Sequence, residues 1–341
     1  MFAGQSPAGI EPSVQSLRIA QVCVGRNTRL LAGRFELVVQ RGVMKWLEST
    51  QPDALVTTPN PRFPQLFAVQ RWMRRAGRPC IGWGLGTMPV AAGLPMFVRT
   101  AVRRPVIAGF DAFIAYSSRA AAEYVSMGVP GNRVRIARNA TAVRPTQPPP
   151  ERTVAHNRPV RLVALGQLTA PKRIDLLISA CSRLNATRAG SVCLWVIGEG
   201  DARKSLERQA ERELPEVRFL GHLSGDNLRR VLWEADLFVM PGLGGLAIQE
   251  AMASGLPVIV AEGDGTQADL VRPENGWNIP PDDLQALMDC IGIAVRRPER
   301  LLSMGRESFR IVDQEINLET MVDAYVSAVR DFSDNCHRGA V

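Results

Sequence analysis

Along this chain, short apolar runs alternate with longer stretches in which apolar positions recur every three or four residues. The runs predict strands and the longer stretches predict helices. In the first part, strands are expected at 17–24, 53–57, 79–83, 111–117 and 133–136. Helical spacing covers 35–49, 65–76, 97–108 and 118–127, the last opened by a serine cap. The stretch TAVRPTQPPPERTVAHNRP then breaks the alternation. Its prolines and polar residues predict a linker.

A second series follows. Strands are expected at 160–166, 191–200, 217–221, 236–241 and 257–261. Helices are expected at 173–184, 202–213, 227–234, 246–254, 282–296 and 318–332. Strands that alternate with helices predict parallel sheets covered on both faces. The chain is therefore read as α/β, with two Rossmann-like doubly wound domains facing a cleft. The expected limits are 1–143 for the first domain, 144–159 for the linker, 160–332 for the second and 333–341 for a tail. The first domain reads as incomplete, and the last helix can cross back to it. Ligands in such sheets bind beyond the carboxyl ends of the strands, so the cleft is the expected site.

Composition narrows the class. The chain has 341 residues, 46% of them apolar and 22% charged. That fits about two globular domains and excludes a disordered or collagen-like chain. The net charge of +8 is unevenly spread. Residues 1–150 carry 19 Lys and Arg against 6 Asp and Glu, and residues 151–341 carry 22 against 27. A basic half implies an anionic partner. The six cysteines form no C-x-x-C pair, and no His stands at metal-ligand spacing. They read as reduced thiols, with no metal site expected. No apolar run reaches the roughly 18 residues that span a bilayer. The N-terminal segment lacks a charged start and an apolar core, so no signal peptide is expected. The expected location is cytoplasmic, peripheral on the inner face of a membrane.

Three turns carry candidate chemistry. In ADLFVMPGLGGLAIQEAMASGLPVIVA a strand ends at Pro241, a glycine-rich turn follows, and a helix opens at Leu246. This arrangement points free N–H groups and a positive helix end at an anion. Glu250 lies one turn in, within reach of ribose hydroxyls. A plain tight turn with a glutamate suited to the helix start is the alternative. In ALGQLTAPKR a strand ends at Gly166, and Lys172 opens the next helix, where it can meet a phosphate or simply face solvent. In VIGEGDARKSLE, Gly198 and Gly200 form a third strand-to-helix turn.

Together these segments resemble the glycosyltransferase group 1 family, retaining GT-B enzymes that use nucleotide-sugars. The resemblance covers about 159–330. It rests on the segment from Gly166 to Lys172, VIGEG, FLGHLSGDNLRRVLWEADLFVMP, GLGGLAIQEAMASGLPVIVA and Asn275-Gly276. DAFIAYSSRAAAEYVSMGVPGNRVRIARNA resembles the end of that family's first domain. The resemblance implies a nucleotide-sugar donor site built from Gly166, Gln167, Lys172, Gly198, Gly200, His222, Leu223, Gly244, Gly245, Leu246 and Glu250. Lys172 and the helix start would hold the diphosphate, Glu250 the ribose, and His222-Leu223 the base. His222 also fits an exposed turn. No cofactor is implied beyond the donor substrate. The implied acceptor is a glycan, a lipid-linked molecule or a small molecule, in cell-envelope or exopolysaccharide synthesis.

Three departures stand out. Gln167 stands where members usually carry an arginine or another polar residue, Gly242 where they often have the first of two glutamates eight positions apart (some branches have PG-x-x-GL there), and Leu85 in IGWGLG where they often show a histidine. The family's glycine-rich acceptor loop is not recognisable near 24–29. No catalytic residue is assigned. A non-catalytic GT-B scaffold and a nucleotide-sugar epimerase remain as rivals. In the first half, Arg71, Arg74, Arg75 and Arg78 cluster at one helix end, and Arg99, Arg103 and Arg104 lie among large apolar residues. With Trp83, these last arginines are read as the acceptor or membrane side, facing anionic headgroups. A solvated basic face is the plain alternative. Nucleic acid is not expected, because aromatics are only 6% and no binding motif is present.

Overall fold

A computed structural model describes residues 2–4, 23–30, 37–86, 103–153, 158–188, 190–263 and 265–338. Its central unit is a six-stranded parallel sheet. The strands are β8 (Val160–Leu165), β9 (Val192–Ile197), β10 (Arg218–Phe219), β11 (Leu237–Met240), β12 (Val258–Ala261) and β13 (Gly276–Ile279). Their order is β10-β9-β8-β11-β12-β13. The chain thus winds outward from β8 in one direction, then restarts at β11 in the other. The switch point lies between these two strands, and ligands of such sheets bind beyond the carboxyl ends of the strands there.

The two faces of the sheet follow from side-chain alternation. Leu162, Ala164, Leu194, Val196, Leu237, Val239 and Ile259 bury one face against α5 (Ile174–Thr187), α6 (Arg203–Glu213) and α10 (Leu284–Arg296). Val163, Ile197, Phe238, Met240, Val258 and Val260 bury the other against α7 (Gly225–Glu234), α8 (Leu246–Ala253) and α11 (Pro298–Gln314). All four residues of β11 are buried, so this strand reads as a continuous apolar run rather than an alternating one.

The N-terminal half holds a second parallel sheet, β4-β5-β6-β7, made of Leu55–Thr57, Cys80–Gly84, Ala112–Ala115 and Val134–Ile136. Helices α1 (Val43–Thr50), α2 (Leu66–Arg75), α3 (103–108) and α4 (Ser118–Ser126) accompany it. Leu47, Val69, Met73, Ile107, Phe113 and Tyr124 share its core. Ser117 caps α4 by accepting from Ala120 N–H at 3.1 Å.

The start of the chain differs from expectation. Residues 35–49 do not form one helix. Val38–Arg41 is a strand, β3, paired antiparallel with β2 (Cys23–Arg29), and β1 (Phe2–Gly4) pairs parallel with β2. The β-branched Val38 and Val39 suit the ladder, and Gly42 at φ 93° separates it from α1. This three-stranded sheet stands apart from the four-stranded one. The strand expected at 17–24 lies mostly outside the described residues, as do 97–102 with Arg99.

Three elements of the second half escaped the pattern: α11, β13 and the short α9 (Gln267–Leu270). The described part of the segment after β7 includes a packed anchor. Arg152, half-buried, donates to the carbonyls of Leu232 (3.0 Å), Ser254 (2.8 Å) and Ala235. It thereby ties the C-terminal ends of α7 and α8, where a cation suits the helix dipoles. Burial draws its guanidinium down to about 10. The last helix, α12 (Leu318–Arg338), runs back onto the four-stranded sheet. There Ala328 and Phe332 pack on Ile81, Ile114 and Ala137. Among the described residues, no helix is long and apolar enough to cross a membrane.

Candidate functional site

The loops that follow β8 and β11 meet at the switch point and are joined there. Leu243 N–H donates to Pro171 O at 2.8 Å. Lys172 Nζ donates to Leu243 O at 2.6 Å. Lys172, placed in a tight turn ahead of α5, therefore stands beside the glycine-rich turn, 71 residues away in sequence. Arg173 follows it in the left-handed region, at φ 52°, and its guanidinium pairs with Asp175 and Asp282.

The glycines of the β8 and β9 loops have steric reasons. Gly166, Gly198 and Gly200 have φ of 141°, 135° and 156°. A Cβ on Gly198 would meet Gly166 O, and one on Gly200 would meet Leu168 O. Leu168 N–H donates to Glu199 O at 2.8 Å, and Gly198 N–H to Gly221 O at 2.7 Å. Three consecutive loops are thus laced backbone to backbone. His222 is exposed beyond this lacing, and Leu223 is half-buried against the α7 side of the core. Gln167 is exposed at the loop tip.

Helix α8 opens without a side-chain cap. Among the described residues, no acceptor meets the N–H groups of Gly244, Gly245, Leu246 or Ala247. These orphan donors and the positive helix end form an anion-binding arrangement. Leu243 and Leu246 stand 55% and 48% exposed beside it, giving the opening an apolar rim. Glu250 is exposed on α8, and its carboxylate makes no hydrogen bond or ion pair among the described residues. The structure therefore gathers Gly166, Lys172, Gly198, Gly200, Gly244, Gly245 and Leu246 at the carboxyl ends of the strands, with Glu250 on the helix leading away.

The residue before Glu250 was not anticipated. Gln249 is 2% exposed and bonds only backbone. Its Oε1 accepts from Thr141 N–H at 2.9 Å and Ala142 N–H at 3.4 Å, and its Nε2 donates to Asn139 O at 2.6 Å. It fixes the chain that crosses between the two sheets. A second crossing is made by Asp269 of α9. It accepts from Ser118 N–H, at the start of α4, at 2.8 Å and faces Arg138 at 3.4 Å. A buried glutamine in an apolar helix and a lone aspartate in a four-residue helix carry no recognisable motif, so sequence reading had no means of finding them.

The residues read as the acceptor side are more dispersed. Trp83 is half-buried in an aromatic group, its ring 5.0 Å from Tyr116 and 5.5 Å from Tyr325. Arg103 is half-buried and Arg104 exposed at the start of α3. Leu85 follows β5 and is half-buried. On α2, Phe67, Arg71, Arg74 and Arg75 are exposed. A cavity of about 270 Å³ lies at the opposite end of the strands, between Arg158, Arg161, Trp195 and Arg218. Its Arg158 is spent on a two-pronged pair with Asp236. Among the described residues, no three His, Cys, Asp or Glu side chains gather closely enough to hold a metal ion. The described cysteines are free.

The family described as "Glycosyl transferases group 1" matches residues 159–296. The amylovoran biosynthesis glycosyltransferase AmsK of Erwinia amylovora is 29% identical over 174 residues, which are 48% of this chain and 42% of AmsK. A putative colanic acid biosynthesis glycosyltransferase, WcaL of Salmonella typhimurium, is 26% identical over 52% of this chain and 46% of WcaL. The matched segment thus spans less than half of either relative. The Anabaena Alr3699/HepE structure in complex with UDP superposes with a TM-score of 0.69 at 17% identity, covering 91% of this chain and 86% of that one. Residues 159–296 thus match the group 1 glycosyl transferases, and the described residues have the GT-B fold.

Proposed function

We propose that this protein transfers a sugar from a nucleotide-diphosphate sugar to an acceptor, with retention of anomeric configuration. The observation that carries the reading is the uncapped start of α8, with four unpartnered N–H groups, held beside Lys172. A leaving diphosphate placed there gains hydrogen bonds, a helix dipole and an ammonium charge as its negative charge develops. Lys172 would exchange its contact with Leu243 O for phosphate oxygen. Glu250, exposed and without an internal partner, is free to accept from ribose hydroxyls. His222 and Leu223 would flank the base. Stabilisation of the leaving group in this way calls on no metal ion. The likeness to AmsK and WcaL, named for amylovoran and colanic acid biosynthesis, supports a role in exopolysaccharide or cell-envelope synthesis. The acceptor would be a glycan, a lipid-linked molecule or a small molecule. The HepE structure, which holds UDP, supports a nucleotide donor.

The basic first half is part of the proposal. Arg71, Arg74 and Arg75 with the exposed Phe67 would seat α2 on an anionic membrane surface from the cytoplasmic side. A second reading, a donor-binding scaffold without turnover, is favoured by Gly242, which leaves no room for a side chain.

The test is calorimetry against UDP, GDP, ADP and their sugars, with Lys172→Ala as control, followed by hydrolysis and transfer assays. Saturable binding of one nucleotide that weakens at least tenfold in Lys172→Ala, with turnover, supports the enzyme. The same binding without hydrolysis or transfer supports the scaffold. No binding of any nucleotide overturns both.

A further inference from the structure

Gln267 opens α9, directly after the loop that leaves β12. It is 2% exposed. Its Oε1 accepts from Gly265 N–H at 3.2 Å, which fixes which way the amide faces. Its Nε2 is buried and has no acceptor. Two glycines flank that nitrogen. A Cβ on Gly263 would lie 3.1 Å from it, and a Cβ on Gly244 would lie 3.7 Å from it. Gly244 is the first of the residues whose N–H groups stand unpartnered ahead of α8. The Gln267 amide is thus one more orphan donor on the wall of the same site, contributed by the next loop of the sheet.

Buried amide donors in folded proteins are almost always paired. Among the described residues no acceptor meets this one, which leaves it available to an oxygen that enters between the β11 and β12 loops. We propose that Gln267 is a donor-positioning residue whose Nε2 donates to an oxygen of the diphosphate-sugar portion of the substrate. This rests on the nucleotide-sugar reading above and adds a residue to it from a different loop. Phosphate and sugar hydroxyl oxygens share the acceptor chemistry, and binding of the two ligand types separates them.

The experiment compares the wild type with Gln267→Met, which keeps the length and removes the amide, and Gln267→Glu, which keeps the acceptor for Gly265 N–H and removes the donor. Each is melted without ligand and titrated with the nucleoside diphosphate and with the nucleotide-sugar that bind the wild type. The expected result is a Kd about tenfold weaker in Gln267→Met, or about 1.4 kcal/mol, and weaker still in Gln267→Glu, where a carboxylate faces an anion. The Tm of Gln267→Met without ligand should fall by a few °C, because Gly265 N–H loses its acceptor, so the Kd rather than the melt carries the test. Weakening toward both ligands assigns the contact to phosphate, and weakening toward the nucleotide-sugar alone assigns it to the sugar. Unchanged Kd in both variants, with or without a fall in Tm, overturns the proposal while leaving the donor site intact. A wild type that binds no nucleotide overturns the donor reading and this inference together.

Discussion

Gly242 and Pro171 meet backbone to backbone. A Cβ on Gly242 would lie 2.2 Å from the Pro171 carbonyl oxygen and 2.4 Å from the Lys172 carbonyl carbon. The adjoining Leu243 N–H bonds that same Pro171 oxygen, and Lys172 Nζ bonds Leu243 O. The loops after β8 and β11 are therefore one unit at the switch point of the sheet. The contact that joins them also excludes a side chain at 242, where the family resemblance leads one to expect a glutamate.

Restoring that glutamate should accordingly harm the protein. Gly242→Ala must push the two loops apart, because both clashing atoms belong to backbone. The expected cost is about 1–3 kcal/mol, typical of overpacking. Gly242→Glu should cost at least as much and should not raise activity. Thermal melts of both variants check the first point. A Gly242→Glu protein as stable as the wild type and more active would show that the loops separate freely.

The legibility of this fold follows the same physics. In the second half, strands such as 236–241 and 257–261 were readable because a central parallel strand is apolar at every position and bounded by turns. The observed β11 and β12 lie within those limits. Helix α11 was legible in principle, since Pro298 stands at its start and Leu301, Met304, Ser308, Ile311 and Val312 fall on one buried stripe. Arg-rich intervening positions hid that stripe. β13 has only four residues and its exposed Asn278 breaks the apolar run, so local pattern could not reveal it. In the site, glycines and Lys172 were readable because backbone approach demands small residues at fixed places. Gln249 and Asp269 were not, because their partners lie on segments far away in sequence.

Gln249 should behave as a structural clamp. It satisfies two N–H groups and one carbonyl of residues 139–142 from a buried position. Gln249→Leu keeps the bulk and strands these backbone groups. Each unsatisfied buried group costs about 1–3 kcal/mol, and the 3.4 Å contact contributes least, so a loss of about 2–4 kcal/mol is expected. Denaturant unfolding measures it. A loss below about 1 kcal/mol would mean that water reaches these groups.

Asp269 links the two sheets from the cleft side. Its carboxylate caps an N–H at the start of α4 and faces Arg138, while Asp269 itself belongs to the β12–β13 connection. Asp269→Ala removes both contacts, and Asp269→Asn keeps an acceptor for Ser118 N–H without the charge. The Ala variant should widen the distribution between the halves, seen as a larger radius of gyration in small-angle scattering. The Asn variant should fall between it and the wild type. An unchanged radius in Asp269→Ala would assign the relative placement of the halves to Gln249 and α12 alone.

Glu315 supplies the pH dependence. Arg272 donates to it twice, at 3.2 and 2.5 Å, and Arg310 donates at 2.8 Å. These charge-assisted bonds hold its carboxyl well below the usual carboxylate range, at about 2, and tie the β12–β13 connection to the end of α11. The folded value lies below the ordinary value of 4.5 that the carboxyl has in the unfolded chain. The unfolded chain therefore binds the proton first as pH falls. The stabilisation is complete above about pH 4.5 and is lost progressively as pH drops toward 2. The carboxylate is 33% exposed, so solvent screening reduces its worth to about 1 kcal/mol. Glu315→Gln should lower stability by that amount at pH 7, a fall in Tm of about 2–4 °C. Its stability should also decline less steeply between pH 4.5 and 2, so that the two curves converge at low pH. Parallel curves across that range would place the acid sensitivity in other groups.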